Sequence, residues 1–117
     1  MTNTAIMLAN ALLAHHRDFC ATHDTRPPII EQCTIAYRQL CEEAGTPGLE
    51  IGIGKFLQEV ATWCAENGYP PINALAINAV AQMPGESYDL APGCSILNWE
   101  NEVIASIVFR GYPATVS

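Results

Sequence analysis

Apolar residues recur at helical spacing in the first stretch of the chain, residues 5–22, which is dense in Ala, Leu, Ile and Met. Thr2, Asn3 and Thr4 precede this stretch and offer side chains that can cap a helix. Apolar side chains fall on more than one face of the helix, so we expect it to pack on several sides or to form a subunit contact. A homodimer through this first helix is the form that such a contact would take.

The second helical pattern runs from Pro28 to about Ala44. The Pro-Pro pair at 27–28 breaks the first helix, and Pro28 suits the first position of the next one because its missing N–H is not needed there. Glycine and proline at 45–48 end the pattern. A second amphipathic helix is therefore predicted. Its apolar stripe comprises Ile29, Cys33, Ala36 and Leu40.

The third helical pattern covers residues 55–67 and stops at Asn67-Gly68, a pair that suits a left-handed helix end. The residues before it, 49–54, alternate apolar with other residues. They fit a short strand, an extended loop or the opening of the third helix. The pattern leaves this choice open.

A change of pattern after the third helix predicts a small sheet. Residues 72–80 contain a continuous apolar run with prolines before and after it, which is typical of a strand covered on both faces. The turn at Pro84-Gly85 would bring residues 87–90 back as the antiparallel partner of that strand. We expect a short β-hairpin here.

The last helical pattern follows Asn98, a good helix cap, and places Glu100 and Glu102 in the first turn, where acids complement the helix dipole. Gly111 closes this helix. The sequence therefore predicts a single α+β domain over residues 1–117. Its elements are three N-terminal helices, a short β-hairpin or small sheet, and a C-terminal helix.

The order of these elements resembles that of winged helix-turn-helix domains. In such a domain the helix at 55–67 would enter the DNA major groove. It carries one lysine, Lys55, against Glu59 and Glu66, so its surface is neutral to acidic. The resemblance therefore implies at most a dimeric regulatory or adaptor domain without strong DNA binding.

Charge is distributed unevenly along this acidic chain, which has twelve acidic and five basic residues and a net charge of −7. No Lys or Arg occurs between Lys55 and Arg110. Because nucleic-acid affinity comes largely from Lys and Arg that displace counterions, direct nucleic-acid binding is not expected. The acids between these two positions are Glu59, Glu66, Glu86, Asp89, Glu100 and Glu102.

The apolar run at 5–14 is interrupted by Asn10 and is shorter than the ~20 residues needed to cross a bilayer. No positively charged stretch precedes it, as one would in a secretory signal. We expect a cytoplasmic protein that does not contact a membrane.

The five cysteines show neither the paired spacing of a zinc site nor that of a disulfide framework. Cys20 and His23 stand three apart, but no second pair of ligands accompanies them. We therefore expect reduced and mostly buried thiols, with no metal and no cofactor. Cys94 is the best candidate for a reactive thiol because it lies near a predicted helix start, where the thiolate is favoured. A small Cys/His enzyme or metal protein, using Cys94 or the histidines of the first helix, is the least favoured alternative.

The segment 85–102 carries the candidate partner-binding residues. It places Tyr and Trp among acids and turn residues, a composition typical of protein interfaces, where aromatic side chains anchor and charges steer. The alternative is that Tyr88 and Trp99 are core residues. The candidates are Glu86, Tyr88, Asp89, Asn98, Trp99, Glu100 and Glu102.

These observations favour a non-enzymatic acidic protein, with no catalytic residues, that docks on a basic protein such as a nuclease or a nucleic-acid-binding complex. Phage anti-defence inhibitors of the anti-CRISPR kind, and immunity proteins against nuclease toxins, are often small and acidic because they cover sites built for phosphates. This expectation compares the chain with these classes of protein on the basis of charge and size.

Overall fold

Helices make up most of the described chain. The computed structural model describes residues 1–23 and 29–117, so the helix break at 25–28 and the helix start at Pro28 lie outside the described residues. The α+β class is confirmed. In chain order the elements are α1 (Asn3–Thr22), α2 (Ile30–Cys33), β1 (Ile35–Ala36), α3 (Tyr37–Ala44), α4 (Gly54–Glu66), β2 (Ala76–Ile77) and α5 (Trp99–Val108). The segments Ile72–Leu75, Glu86–Leu90 and Ile96–Asn98 form 3₁₀-helices.

Helix α1 is the central element of the fold. Thr2 caps it as predicted, with its Oγ1 accepting a hydrogen bond from the Ala5 N–H at 3.2 Å. Helices α3 and α4 and the 3₁₀-helix Ile72–Leu75 all pack against α1. Packing within the chain therefore accounts for the several apolar faces of this helix. Its buried residues are Ala5, Leu8, Ala9, Leu12, Leu13, His16 and Phe19.

The predicted second helix is divided in two, which corrects the expectation of one helix to Ala44. After α2, Thr34 turns to an extended conformation with ψ 160°, and Ile35 and Ala36 form β1 before α3 begins. β-branched residues such as Thr34 and Ile35 favour extended backbone. Ile35, which the predicted helical stripe did not include, is buried in the strand.

The predicted small sheet is confirmed, but its two strands are very short and parallel, so the β-hairpin form of the prediction is wrong. Ile35 pairs with Ala76 and Ala36 pairs with Ile77. A parallel pair needs a crossover between its strands, and α3 and α4 provide it. The proposed return strand at 87–90 lies instead in a 3₁₀-helix.

A tight turn follows β2. The Asn78 side chain accepts hydrogen bonds from the N–H groups of Val80 and Ala81 at 2.9 and 3.1 Å, and one antiparallel bridge joins Asn78 to Met83. This bridge stands where a winged helix-turn-helix domain has strand, turn and strand, so the order of elements differs from that of such domains here.

Helix α4 begins at Gly54 and ends as predicted. The preceding residues, 49–53, form turns, which resolves the open choice at this position. At the other end Gly68 adopts a left-handed φ of +70°, and the Tyr69 N–H donates to the Cys64 carbonyl at 2.8 Å. No helix in the described part of the chain has both the length and the apolar character needed to cross a membrane.

The last residues lie against α1. The Asn10 side chain donates to the Val116 carbonyl at 3.0 Å and accepts from the Val116 N–H at 2.7 Å. Tyr112 donates to the Pro70 carbonyl at 2.7 Å, and its ring packs edge-on against that of His16. These contacts connect the C-terminal segment to both halves of the chain.

His16 links α1 to α5 inside the protein. Its Nε2 donates to the Ser106 carbonyl at 2.8 Å, since a carbonyl can only accept. Burial is the largest cause that lowers the pKa of His16 below its ordinary value of 6.5. The imidazole is therefore neutral at neutral pH.

Gly54, at the start of α4, faces the 3₁₀-helix Glu86–Leu90 without room for a side chain. A Cβ at this position would lie 2.1 Å from Ser87 Oγ and 2.8 Å from Ser87 Cβ. The absence of a side chain at Gly54 is therefore what lets these two helices approach each other.

We predict that Gly54→Ala destabilises the protein by about 1–3 kcal/mol because the new methyl group overlaps Ser87. In a Ser87→Gly background the same change should be neutral or stabilise by up to about 1 kcal/mol, since alanine is the better helix former. Urea unfolding of the four proteins measures both effects. Equal effects in the two backgrounds would contradict the proposed overlap.

Stability should decrease as the pH falls below about 6.5, because the unfolded chain then protonates at His16 while the folded chain resists. Above 6.5 the imidazole is neutral in both states and its contribution is complete. His16→Gln keeps a side-chain N–H and should show a shallower decrease between about pH 7 and pH 5.5. If the free energy of unfolding decreases with falling pH by the same amount in both proteins, His16 does not have this role.

Candidate functional site

The segment 85–102 contains two 3₁₀-helices, the turn between them and the first residues of α5, and two of its own carboxylates hold it. We call this segment the loop. Glu102 Oε1 accepts a hydrogen bond from the Tyr88 hydroxyl at 2.5 Å and one from the Ser95 N–H at 3.2 Å. Asp89 Oδ1 accepts from the Ile96 N–H at 2.6 Å. Hydrogen bonds to ionised acceptors are the stronger kind. Glu102 and Asp89 therefore fix the loop from within.

The two aromatic candidates lie in the core. Trp99 is 7% exposed, and its indole N–H donates to the Ala74 carbonyl at 2.8 Å. Tyr88 is 6% exposed, and burial together with the Glu102 hydrogen bond raises the pKa of its hydroxyl. This is the core alternative that the sequence left open. Neither side chain projects from the surface, although Trp99 contributes to the lining of a groove.

Two leucines that sequence reasoning did not single out are the prominent side chains of this loop. Leu97 is 93% exposed and Leu90 is 74% exposed. The feature of the sequence that could have pointed to them is the presence of apolar residues within a segment of turn residues and acids. Of the candidates named from sequence, Glu86, Asp89, Asn98 and Glu100 are exposed, and Asp89 is also engaged in the hydrogen bond from the Ile96 N–H. We call Glu86, Leu90, Leu97, Asn98 and Glu100 the loop surface.

A groove of about 450 Å³ runs beside the loop surface. One wall comes from the turn after β2, where Gln82 adopts an unusual φ of +56°. The other wall contains Leu97 and Glu100. The groove is lined by Ala81, Gln82, Met83, Ile96, Leu97, Trp99, Glu100 and Asn101.

A second pair of exposed apolar side chains lies elsewhere. Ile51 and Val80 line a groove of about 300 Å³ at the end of the β1–β2 sheet, together with Tyr37 and Arg38. This groove carries one acid, Glu50, and one base. It therefore lacks the acidic excess of the loop surface.

The acids of the second half of the chain do not form ion pairs with the described basic residues. Within residues 1–23 and 29–117, the ion pair present is Arg38 with Glu42, at 3.5 Å. Glu59 accepts hydrogen bonds from the N–H and hydroxyl of Thr2. With Glu66 it lines a different cavity, so these two of the six acids between Lys55 and Arg110 lie outside the loop.

Cys94 does not have the environment that made it a candidate. It precedes the 3₁₀-helix Ile96–Asn98 rather than the start of α5. Burial, together with the nearby charge of Glu102, raises the pKa of its thiol. The expected thiolate stabilisation by a helix N-terminus is therefore absent. All five cysteines are free, in agreement with the expectation of reduced thiols.

The Cys20 and His23 pair does not converge on a common site. The His23 ring stacks on Phe19 at 4.3 Å between ring centroids, whereas Cys20 Sγ lies beside His16 and Arg110. In the part of the chain that the structure describes, no group of three or more His, Cys, Asp or Glu side chains is placed to hold a metal ion.

Comparison with known proteins finds no match to this chain among family models, curated proteins or solved structures. No residue role can therefore be transferred from a relative.

We predict that Glu102→Ala lowers the free energy of unfolding by about 2 kcal/mol, because the buried Tyr88 hydroxyl loses its charged acceptor. Glu100→Ala removes an exposed carboxylate three positions from Val103 and should change stability by less than about 0.5 kcal/mol. Urea unfolding compares the two variants. A similar loss in both would show that Glu102 does not hold the loop.

Proposed function

We propose that this chain is a non-enzymatic binding protein whose loop surface docks on a basic protein. The observation that carries the proposal is the pair of exposed leucines, Leu90 and Leu97, on a segment that also carries exposed carboxylates and is fixed by internal hydrogen bonds. Apolar side chains surrounded by charge are typical of a protein contact.

The leucines would supply the binding energy. Burial of an exposed leucine side chain contributes about 1.5–3 kcal/mol before the costs of association. Because the loop is already ordered by Asp89 and Glu102, little conformational entropy is lost when it docks. Leu97 is the stronger candidate anchor since it also lines the groove.

The carboxylates would select the partner. Glu86 and Glu100 favour encounter with a surface rich in Lys and Arg and disfavour acidic surfaces. Proteins that bind nucleic acids present such basic surfaces. A nuclease or a nucleic-acid-binding complex is therefore the class of partner we propose, and inhibition by an anti-defence or immunity protein is the corresponding role.

Affinity capture from a host lysate tests this proposal. We expect a basic protein to be retained at low salt and released as salt is raised, since screening weakens steering between exposed charges. The double variant Glu86→Lys/Glu100→Lys should reduce retention by at least about tenfold, an order-of-magnitude expectation for reversing rim charges. Circular dichroism verifies that the variant is folded.

The matched control is Glu31→Lys/Glu43→Lys, which changes the net charge equally at exposed positions of α2 and α3. It should retain the partner. Leu97→Ser should also weaken retention, whereas Val80→Ser, at the other groove, should not. Loss of binding in the control or in Val80→Ser, with normal binding by the loop variants, would refute the loop surface as the docking site.

A further inference from the structure

A cavity of about 270 Å³ lies between the end of α1 and the C-terminal segment, and the Cys20 thiol lines it. Cys20 is half-buried, and its Sγ lies 3.4 Å from the Ile107 carbonyl. The thiol is therefore held in place but open to a small molecule that enters the cavity. The lining residues are Leu13, His16, Arg17, Cys20, Arg110, Tyr112, Pro113 and Ala114.

Two guanidinium groups make this cavity positive in an acidic protein. Arg17 and Arg110 are two of the five Lys and Arg residues of the chain. Arg17 Nη1 donates to the Ala114 carbonyl at 3.2 Å, and Arg110 Nη1 contacts the Ile107 carbonyl. Each guanidinium has five N–H donors, so these contacts leave donors for a carboxylate. Asp18, the next residue on α1, is exposed and does not line the cavity.

Arg110 also contacts the thiol directly. Its Nη1 lies 3.4 Å from Cys20 Sγ, so an anionic group bound by this guanidinium is held next to the sulfur. His16 has a different role. Its Nε2 lies 3.8 Å from Sγ, but the N–H of that atom donates to the Ser106 carbonyl. His16 therefore positions α1 against α5 and is not the acceptor of the thiol proton through this atom.

The other four cysteines lack this combination of cavity and positive charge. Cys33, Cys41 and Cys64 are buried, and burial raises the pKa of all three thiols, to about 11 for Cys33 and Cys64. Cys94 lies beside the Glu102 carboxylate, which disfavours a thiolate. Reaction with an anionic reagent is therefore directed to Cys20.

We propose that Cys20 is a modification site for anionic low-molecular-weight disulfides, whose carboxylates are bound by Arg17 and Arg110. The Cys20 thiol releases its proton to solvent, and the thiolate Sγ attacks one sulfur of the disulfide. The new Sγ–S bond forms as the original S–S bond breaks, and the leaving thiolate takes a proton from solvent. Cys20 is oxidised, half of the reagent is reduced, and no other oxidant is needed. The site is independent of the loop surface.

The test compares an anionic with a cationic disulfide. Reduced protein is treated with excess oxidised glutathione or with excess cystamine, and intact mass and peptide mapping follow the modification of each cysteine. We expect Cys20 to react first, and oxidised glutathione to react about tenfold faster than cystamine at low ionic strength. This preference should decline as salt is added.

Substitutions assign the effect to the cavity. Arg110→Gln and Arg17→Gln should each reduce the preference for oxidised glutathione severalfold. Arg38→Gln, which removes a charge paired with Glu42 outside the cavity, should leave it unchanged. Cys20→Ser should abolish the first modification, and Cys94→Ser should not affect it.

Three results would overturn the proposal. The first is modification of Cys94 before Cys20. The second is equal reaction rates with the two disulfides in the unaltered protein. The third is an undiminished preference for oxidised glutathione after Arg110→Gln. Thermal unfolding of each variant shows whether it is folded, and the comparison of the two disulfides in the unaltered protein does not depend on any variant.

Discussion

Leu8 and Leu12 on α1 are fully buried, and the burial of this helix is the constraint on which the other elements depend. Helices α3 and α4 and the 3₁₀-helix Ile72–Leu75 cover it. One neighbouring helix can cover only one stripe of α1, so several elements are needed to cover its faces. In this fold they come from both halves of the chain. The parallel pairing of β1 with β2 is part of this arrangement, since it brings the segments before α3 and after α4 side by side.

The acidic residues of this chain have two different roles in the structure. In the loop, Asp89 and Glu102 accept hydrogen bonds from backbone N–H groups, whereas Glu86 and Glu100 are exposed on the same segment as the two leucines. The amino-acid composition does not show which carboxylates fix a loop and which face solvent. Only their hydrogen-bond partners show which of them can steer an approaching partner and which of them keep the contact surface rigid.

Features that depend on neighbouring residues were predictable from sequence. The Thr2 cap and the Gly68 stop are examples, because each is decided by local backbone chemistry. The interruption of the second helix at Thr34 was not predictable, because it depends on the pairing of the next residue, Ile35, with Ala76, which lies far along the chain. In the site, the position of the acidic loop was predictable, but burial of Trp99 was not, since an aromatic residue among acids fits either a core or an interface.

The contact of Asn10 with Val116 connects the beginning of α1 to the last residues described. During synthesis Asn10 emerges long before Val116, so this contact of α1 closes only after its contacts with α3 and α4 have become possible. In that interval the apolar faces of α1 are exposed to other molecules. Apolar surface of α1 that is still uncovered at this stage makes the nascent chain prone to aggregation.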